Sequence, residues 1–209
     1  MSYKSSEQVV KPAPAKWKRL EQVIKPAPAV GKSFEFLKKC MADLYEQKLY
    51  KILDEMNIPY EKFEHPAFGT VEASGSFYRD HDMGVDCKNA FMQNRRGRKH
   101  YLVILCAQKN IDIPHLAEFL GEHRKMGFAS ADRLENNLGL TPGSVTPFGL
   151  IHENAGEVGV VVDKEIFDYA SVHFHPFRNT ASLKISTKDF LRFLKRYAMD
   201  VKIYDTELI

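Results

Sequence analysis

Apolar positions first recur at helical spacing from residue 37 onward, where Leu37, Met41, Leu44, Tyr45, Leu49, Ile52, Leu53 and Met56 fall three or four apart. That spacing predicts an amphipathic helix, with Ser33 as its N-cap and Pro59 beyond its end. YEKFEH, residues 60–65, then alternates like a short strand, and TVEASGSFYRD, residues 70–80, reads as a short helix opened by Thr70. Two strand-like runs, VDCKNAFM at 85–92 and HYLVILCA at 100–107, flank the polar QNRRGRK and predict a β-hairpin with Gly97 in its loop. Helical patterns follow around HLAEFLGEH and ADRLENNL, then a glycine- and proline-rich stretch, the strand EVGVVVD and a turn around KEIFDYA. A strand through SVHFHPF or SLKI and a helix TKDFLRFLKRYA complete the pattern. Strands and helices alternate without a regular βαβ period, so the expected fold class is α+β, a mixed sheet surrounded by helices.

Composition narrows the picture. With 209 residues, 44% of them hydrophobic, the chain can build one sizeable core with an appended segment. No apolar run is long enough to span a bilayer and the N-terminus lacks a secretory apolar region, so a soluble, cytoplasmic protein with no membrane partner is expected. Cys40, Cys87 and Cys106 are widely spaced and odd in number, which fits neither a disulfide framework nor a zinc knuckle.

EQVVKPAPA at 7–15 recurs as EQVIKPAPA at 21–29, around a basic KWKRL. Two such copies are too short for a solenoid and Pro-Ala-Pro favours extended backbone, so residues 1–32 are expected to form a basic tail and 33–209 the folded domain. The tail is either a solvated linker or an arm that docks on RNA or a partner. Residues 1–32 hold seven Lys or Arg against two Glu, leaving 23 basic and 25 acidic residues for everything after. Any contact of this near-neutral body with nucleic acid should therefore be local and involve few groups.

Three features carry candidate chemistry. LGLTPGSVTPFGLI, residues 138–151, combines glycine and proline among nonpolar residues and specifies a stiff, shaped loop, whose Gly143–Pro147 amides could donate to a developing oxyanion. It is neither a P-loop nor a nucleophile elbow. Lys88 stands in a strand-like run, where a cation is costly unless it emerges in a cleft or finds an anion. His175 begins His-Pro-Phe-Arg-Asn, a turn that would bring its imidazole and the Asn179 amide together. Each also has a plainer reading: a double turn between core elements, a lysine on the hairpin's solvent face, a hydrogen-bonded turn. His173 and His175 form a His-x-His pair without a third ligand at recognisable spacing, so no metal is expected.

HPAFGTVEAS at 65–74, CKNAFMQNRRGRKHYLVIL at 87–105, LGLTPGSVTPFGLI and FHPFRNTASLKIS at 174–186 occur together in one order. In that order and spacing the chain, over roughly residues 34–208, resembles the bacterial prolyl-tRNA synthetase editing domain and its free-standing relatives. Within that superfamily, which also contains the YbaK-type Cys-tRNA(Pro) deacylases, it is most similar to the Ala-tRNA(Pro) deacylases. The resemblance implies the mixed sheet of that family and hydrolysis of mischarged Ala-tRNA(Pro) as a proofreading step in translation. It implies no cofactor. It also implies binding of the tRNA(Pro) acceptor end and association with prolyl-tRNA synthetase in cis or in trans. By the same resemblance Lys88 helps hold the tRNA 3′ end with Asn89 beside it, and Gly143, Ser144, Val145, Thr146 and Pro147 shape the aminoacyl pocket. His175 and Asn179 lie near the substrate, and Phe68 and Thr70 line the pocket. The segment GSFYRDHDMGVD departs from the family pattern, which leaves its local geometry open. Alternatives are a Cys-tRNA(Pro) or Ser/Thr-tRNA deacylase of the same superfamily, and a non-catalytic module that binds tRNA or a synthetase.

Overall fold

A five-stranded and a three-stranded sheet organise the computed structural model, which describes residues 32–67, 71–122 and 125–205. The chain divides into Met1–Lys39 and Cys40–Ile209, and both sheets belong to the second unit. In chain order the elements are α1 (Lys32–Glu55), β1 (Tyr60–Glu64), α2 (Val71–Asp80), β2 (Cys87–Asn94), β3 (His100–Cys106), α3 (Ile113–Phe119), β4 (Met126–Phe128) and α4 (Ala131–Leu138). After a short 3-10 turn at Pro147–Ile151 come β5 (Val158–Asp163), β6 (Ser171–Phe174), β7 (Ala181–Ser186), α5 (Thr187–Tyr197) and β8 (Asp200–Tyr204). The larger sheet has the order β4-β2-β3-β5-β8, antiparallel across β4-β2-β3 and parallel across β3-β5-β8; the smaller, β1-β7-β6, is antiparallel. This is the mixed α+β architecture expected of the alternation.

β3 is buried along almost its whole length because both faces of the larger sheet are covered. Leu102, Ile104 and Cys106 point into one apolar cluster with Phe91, Val160 and Val162, where they meet the smaller sheet, α5 and the C-terminal part of α1. Tyr101, Val103 and Leu105 point the other way, toward Leu116 and Ala117 of α3. β7 passes directly into α5 because Ser186 caps the helix, its hydroxyl accepting from the Asp189 amide at 3.0 Å.

Local details differ from the sequence expectation. SVHF and ASLKIS are both strands, paired with each other across the His175 turn, so they are not alternatives. β4 is only three residues long, too short for a visible period, and β8 is an edge strand whose Tyr204 alone is buried, which hides its alternation. Helix α1 starts at Lys32, so Ser33 lies inside its first turn rather than capping it. Thr70, expected to open α2, lies outside the described residues.

Phe148 joins the glycine/proline stretch to the core: it is fully buried and meets Phe174 and Phe193 edge-on, at centroid distances of 6.0 and 5.5 Å. Phe148→Ala should cost about 3–5 kcal/mol of unfolding free energy. A urea titration checks this, and a loss below about 1 kcal/mol would show that the loop does not depend on this anchor.

Candidate active site

The loop gains its shape from four residues. Ser144 N–H donates to the Thr141 carbonyl at 3.0 Å, closing a turn with Pro142 and Gly143 at its corners. Gly143 has φ +84°, the positive value required at the third position of a type II turn, while proline supplies the second. The Ser144 hydroxyl adds bonds to the Thr141 carbonyl at 2.8 Å and from the Thr141 N–H at 3.2 Å. Beyond the turn Thr146 and Pro147 are buried, and Pro147 opens the 3-10 turn that leads to Phe148. The loop is thus fixed at both ends, with Gly143 and Pro142 exposed at its tip.

Three parts of the chain distant in sequence meet at residue 145. The Asn89 amide nitrogen, on β2, donates to the Val145 carbonyl at 3.1 Å. The Thr146 hydroxyl donates to the His175 carbonyl at 3.0 Å and ties the loop to the turn after β6. Burial pushes the His175 imidazole down to about 4, against the opposing effect of the Val145 carbonyl, so the ring is neutral at neutral pH. Two buried polar atoms here have no protein partner, Asn89 Oδ1 and His175 Nδ1. Leaving such atoms unpaired costs about 1–3 kcal/mol each, a cost this meeting point carries twice.

Lys88 is half-buried on β2, opposite Leu105. Ala90 and Met92 face the α3 cluster and Phe91 the other, so the pleat sends Lys88 to the sheet face opposite Asn89. No hydrogen bond or ion pair joins Lys88 to the loop or to His175 among the described residues, and Lys88 adjoins the meeting point only along the chain. Asn179 is exposed and likewise has no bond to the loop among the described residues. The two residues before it are held by the body of the domain: Phe177, at φ +65°, is buried and stacks on Tyr45 at 5.4 Å. Arg178 is clamped between Glu46 and Glu64 at 2.7 and 2.6 Å. Phe68 is, like Thr70, outside the described residues.

His65, the first residue of the HPAFGTVEAS motif, had no assigned role, yet it is buried and bonds the Ser182 hydroxyl through Nε2 at 3.0 Å. Its charge, when present, disfavours protonation of both His173 and His175. A histidine preceding proline at the head of a matched motif was the available signal. His173 sits against Tyr78 with ring centroids 4.0 Å apart and its Nε2 is 3.6 Å from Asp86, so it faces different groups from His175. A cavity of about 330 Å³ lined by Tyr78, Arg79, Met83 and Asp86 adjoins it, and no residue of the Gly143–Pro147 loop lines that cavity. Among the described residues, metal-ligand proximity occurs at Cys106, Asp163 and Glu165. Lys109 already bridges the two carboxylates at 3.0 and 2.6 Å, and burial with the adjacent carboxylates pushes the Cys106 thiol up to about 12.

Residues 65–193 match the aminoacyl-tRNA editing domain family, a span that contains β2, the loop and the His175 turn. The chain belongs to the aminoacyl-tRNA editing family. It is 35% identical over 150 residues to the prolyl-tRNA editing protein ProX of Acetoanaerobium sticklandii, covering 72% of this chain and 90% of that one. A prolyl-tRNA synthetase associated domain-containing protein 1 of Bos taurus is 30% identical over 151 residues, covering 71% and 87%. Among solved structures, that of the hypothetical protein APE2540 superposes with a TM-score of 0.59 over 75% of this chain and 98% of its own, at 16% identity, a likeness of fold. No helix among the described residues is long and apolar enough to cross a membrane.

In this editing domain His173 and His175 are both pushed down to about 4 by burial, whereas an unfolded histidine titrates near 6.5. Unfolding therefore takes up protons between those values: stability is complete above about pH 6.5 and falls as pH drops toward 4. Between pH 6.5 and 5, where Glu64, held at about 2 by Arg178, stays charged, each histidine should remove roughly 2 kcal/mol. Urea midpoints at the two pH values check this. His175→Asn should flatten the dependence, and an equal slope in wild type and variant would exclude His175 as a contributor.

Proposed function

We propose that this protein is an aminoacyl-tRNA deacylase that hydrolyses mischarged Ala-tRNA(Pro). The observation that carries the reading is the pair of buried, unpartnered atoms Asn89 Oδ1 and His175 Nδ1 around the Val145 carbonyl, beside a stiff glycine-proline loop. The family match and the 35% identity to a protein named for prolyl-tRNA editing support it. The activity resides in residues 33–209, with the basic repeat segment 1–32 outside it.

An aminoacyl ester is an activated acyl group, so its hydrolysis needs a fixed ester, a positioned water and a partner for the oxyanion. The Asn89 carbonyl oxygen accepts from the aminoacyl ammonium. A neutral His175 keeps one ring nitrogen as acceptor, able to hold a water or a ribose hydroxyl without repelling the ammonium. The N–H groups of Gly143, Val145 and Thr146, which have no acceptor among the described residues, face the ester carbonyl as its charge develops. Lys88, at the end of a flexible stem, contacts the phosphate or terminal adenosine at the rim, and Asn179 lies near the entering 3′ end.

Selectivity follows from size. A synthetase pocket built for proline cannot strongly reject the smaller alanine, because missing methylenes are worth only about 1–3 kcal/mol. A second pocket with rigid walls admits alanine and excludes the proline ring, and the anchored loop with Val145, Thr146 and Pro147 supplies such a wall.

Release of alanine from Ala-tRNA(Pro), compared with proline from Pro-tRNA(Pro), tests the reading. We expect alanine to be released and proline spared. Asn89→Ala and His175→Ala should each lower kcat/KM about 10-fold or more, and Lys88→Ala should slow the reaction by weakening tRNA engagement. Hydrolysis of neither ester above the spontaneous rate would overturn the deacylase assignment for these substrates.

A further inference from the structure

The turn joining β2 to β3 carries Arg95, Arg96, Arg98 and Lys99, all exposed. Lys99 pairs with Glu122 at 3.0 Å, while Arg95, Arg96 and Arg98 have no carboxylate partner among the described residues. Several other cations are matched, Lys62 and Arg178 with Glu46 and Glu64, Lys109 with Asp163 and Glu165, and Arg192 with Asp189, whereas Lys188, Lys195 and Arg196 on α5 are exposed like the arginines of the turn. The turn is also rigid. Asn94 is buried and its Oδ1 accepts from the N–H groups of Arg98 and Lys99 at 3.0 and 3.4 Å, while Gly97 adopts φ +61° and its carbonyl accepts from Arg133. Arg133, half-buried on α4, therefore adds a further cation at the base of the turn.

The same strand connects this cluster to the candidate site, since Asn89 lies on β2 and the turn begins where β2 ends. At about 3.4 Å per residue the strand separates Asn89 from Arg95 by roughly 20 Å. A tRNA presents a similar interval between its aminoacyl ester and its first acceptor-stem base pairs, bridged by the unpaired 3′ end. We propose that the Arg95–Lys99 turn docks on the phosphate backbone of the acceptor-stem duplex while the 3′ end reaches the Asn89–Val145–His175 site. The inference rests on the aminoacyl-ester reading of that site. Unpaired guanidiniums on a stiff turn suit phosphate oxygens, which they bind bidentately, and such contacts position the RNA without reading its sequence. The near-neutral charge of the rest of the domain makes a few local contacts of this kind the main electrostatic attraction it offers.

The test uses the full chain and its Arg95→Gln/Arg96→Gln/Arg98→Gln variant. The probes are an RNA minihelix with a paired acceptor stem and a CCA end, and a short single-stranded oligonucleotide with the same end, each uncharged or carrying an alanyl ester. These side chains are exposed and the Asn94 bonds are made by backbone, so thermal unfolding should be unchanged. Minihelix affinity should fall about 10-fold or more near 0.1 M salt, and the slope of log K against log salt should flatten by about 2–3. Binding and deacylation of the short oligonucleotide should be unaffected. Unchanged minihelix affinity and slope would overturn the proposal, leaving the turn to solvent or an acidic protein surface, and so would an equal loss for both probes. If wild type binds the minihelix through these arginines but hydrolyses neither alanyl ester, the docking surface stands and the deacylase reading fails instead.

Discussion

The Val145 carbonyl takes a hydrogen bond from Asn89 on β2 and faces the imidazole of His175, while the next residue, Thr146, bonds the His175 backbone. Strand, loop and turn therefore share one fixed point, and the geometry of the site follows from what holds Val145 in place. On one side is the Pro142-Gly143 turn, whose positive φ at Gly143 would strain most residues that carry a side chain. On the other is Phe148, sealed between Phe174 and Phe193. The loop is stiff because it is anchored at both ends, and a carbonyl held this way can orient two polar side chains without either pairing with the other.

The His175 turn depends on a second constraint. Phe177 adopts a positive φ, costly for an aromatic residue, and the surrounding contacts compensate: stacking on Tyr45 and the Arg178 clamp between Glu46 and Glu64. Glu46 is itself buried and also bonded by Tyr50, so helix α1, strand β1 and the turn are tied through one carboxylate. The strain lies next to the imidazole whose Nδ1 has no protein partner, which is where a site that sacrifices stability for binding should concentrate it.

Much of this was legible in the sequence because it rests on local chemistry. Pro-Gly at 142 and 143 specifies its turn wherever it occurs, and the strands of the hairpin announce themselves by β-branched and aromatic runs around Gly97. The convergence of Asn89, Val145 and His175 was legible only through the family motifs, since no periodicity connects residues separated by thirty positions or more. The opposed directions of Lys88 and Asn89 follow from the pleat, yet two adjacent residues in a motif invite being read as one grip. Asn179 is exposed beside Arg178, whose partners Glu46 and Glu64 belong to two different elements that no single motif spans. His65 was passed over because its importance lies in the Ser182 hydroxyl it meets across the smaller sheet.

β2 links two requirements that a small near-neutral domain must reconcile. Attraction for a polyanion favours a broad basic face, but such a face around the ester would compete with the aminoacyl ammonium for the same space and add repulsion in a poorly solvated site. Separating the two along a strand avoids the conflict. On the proposed reading, Asn89 and a neutral imidazole lie at the end of β2 that meets the ester, where polarity without net charge suits an ammonium, and Arg95, Arg96 and Arg98 lie at the far end, where solvent screens them from it. A strand paired to β3 along its length is a rigid spacer, so the distance between grip and chemistry is set by residue count rather than by a flexible linker. Insertion of residues into this strand would alter both its register and that distance, whereas the exposed side chains of Arg95, Arg96 and Arg98 can change without disturbing either.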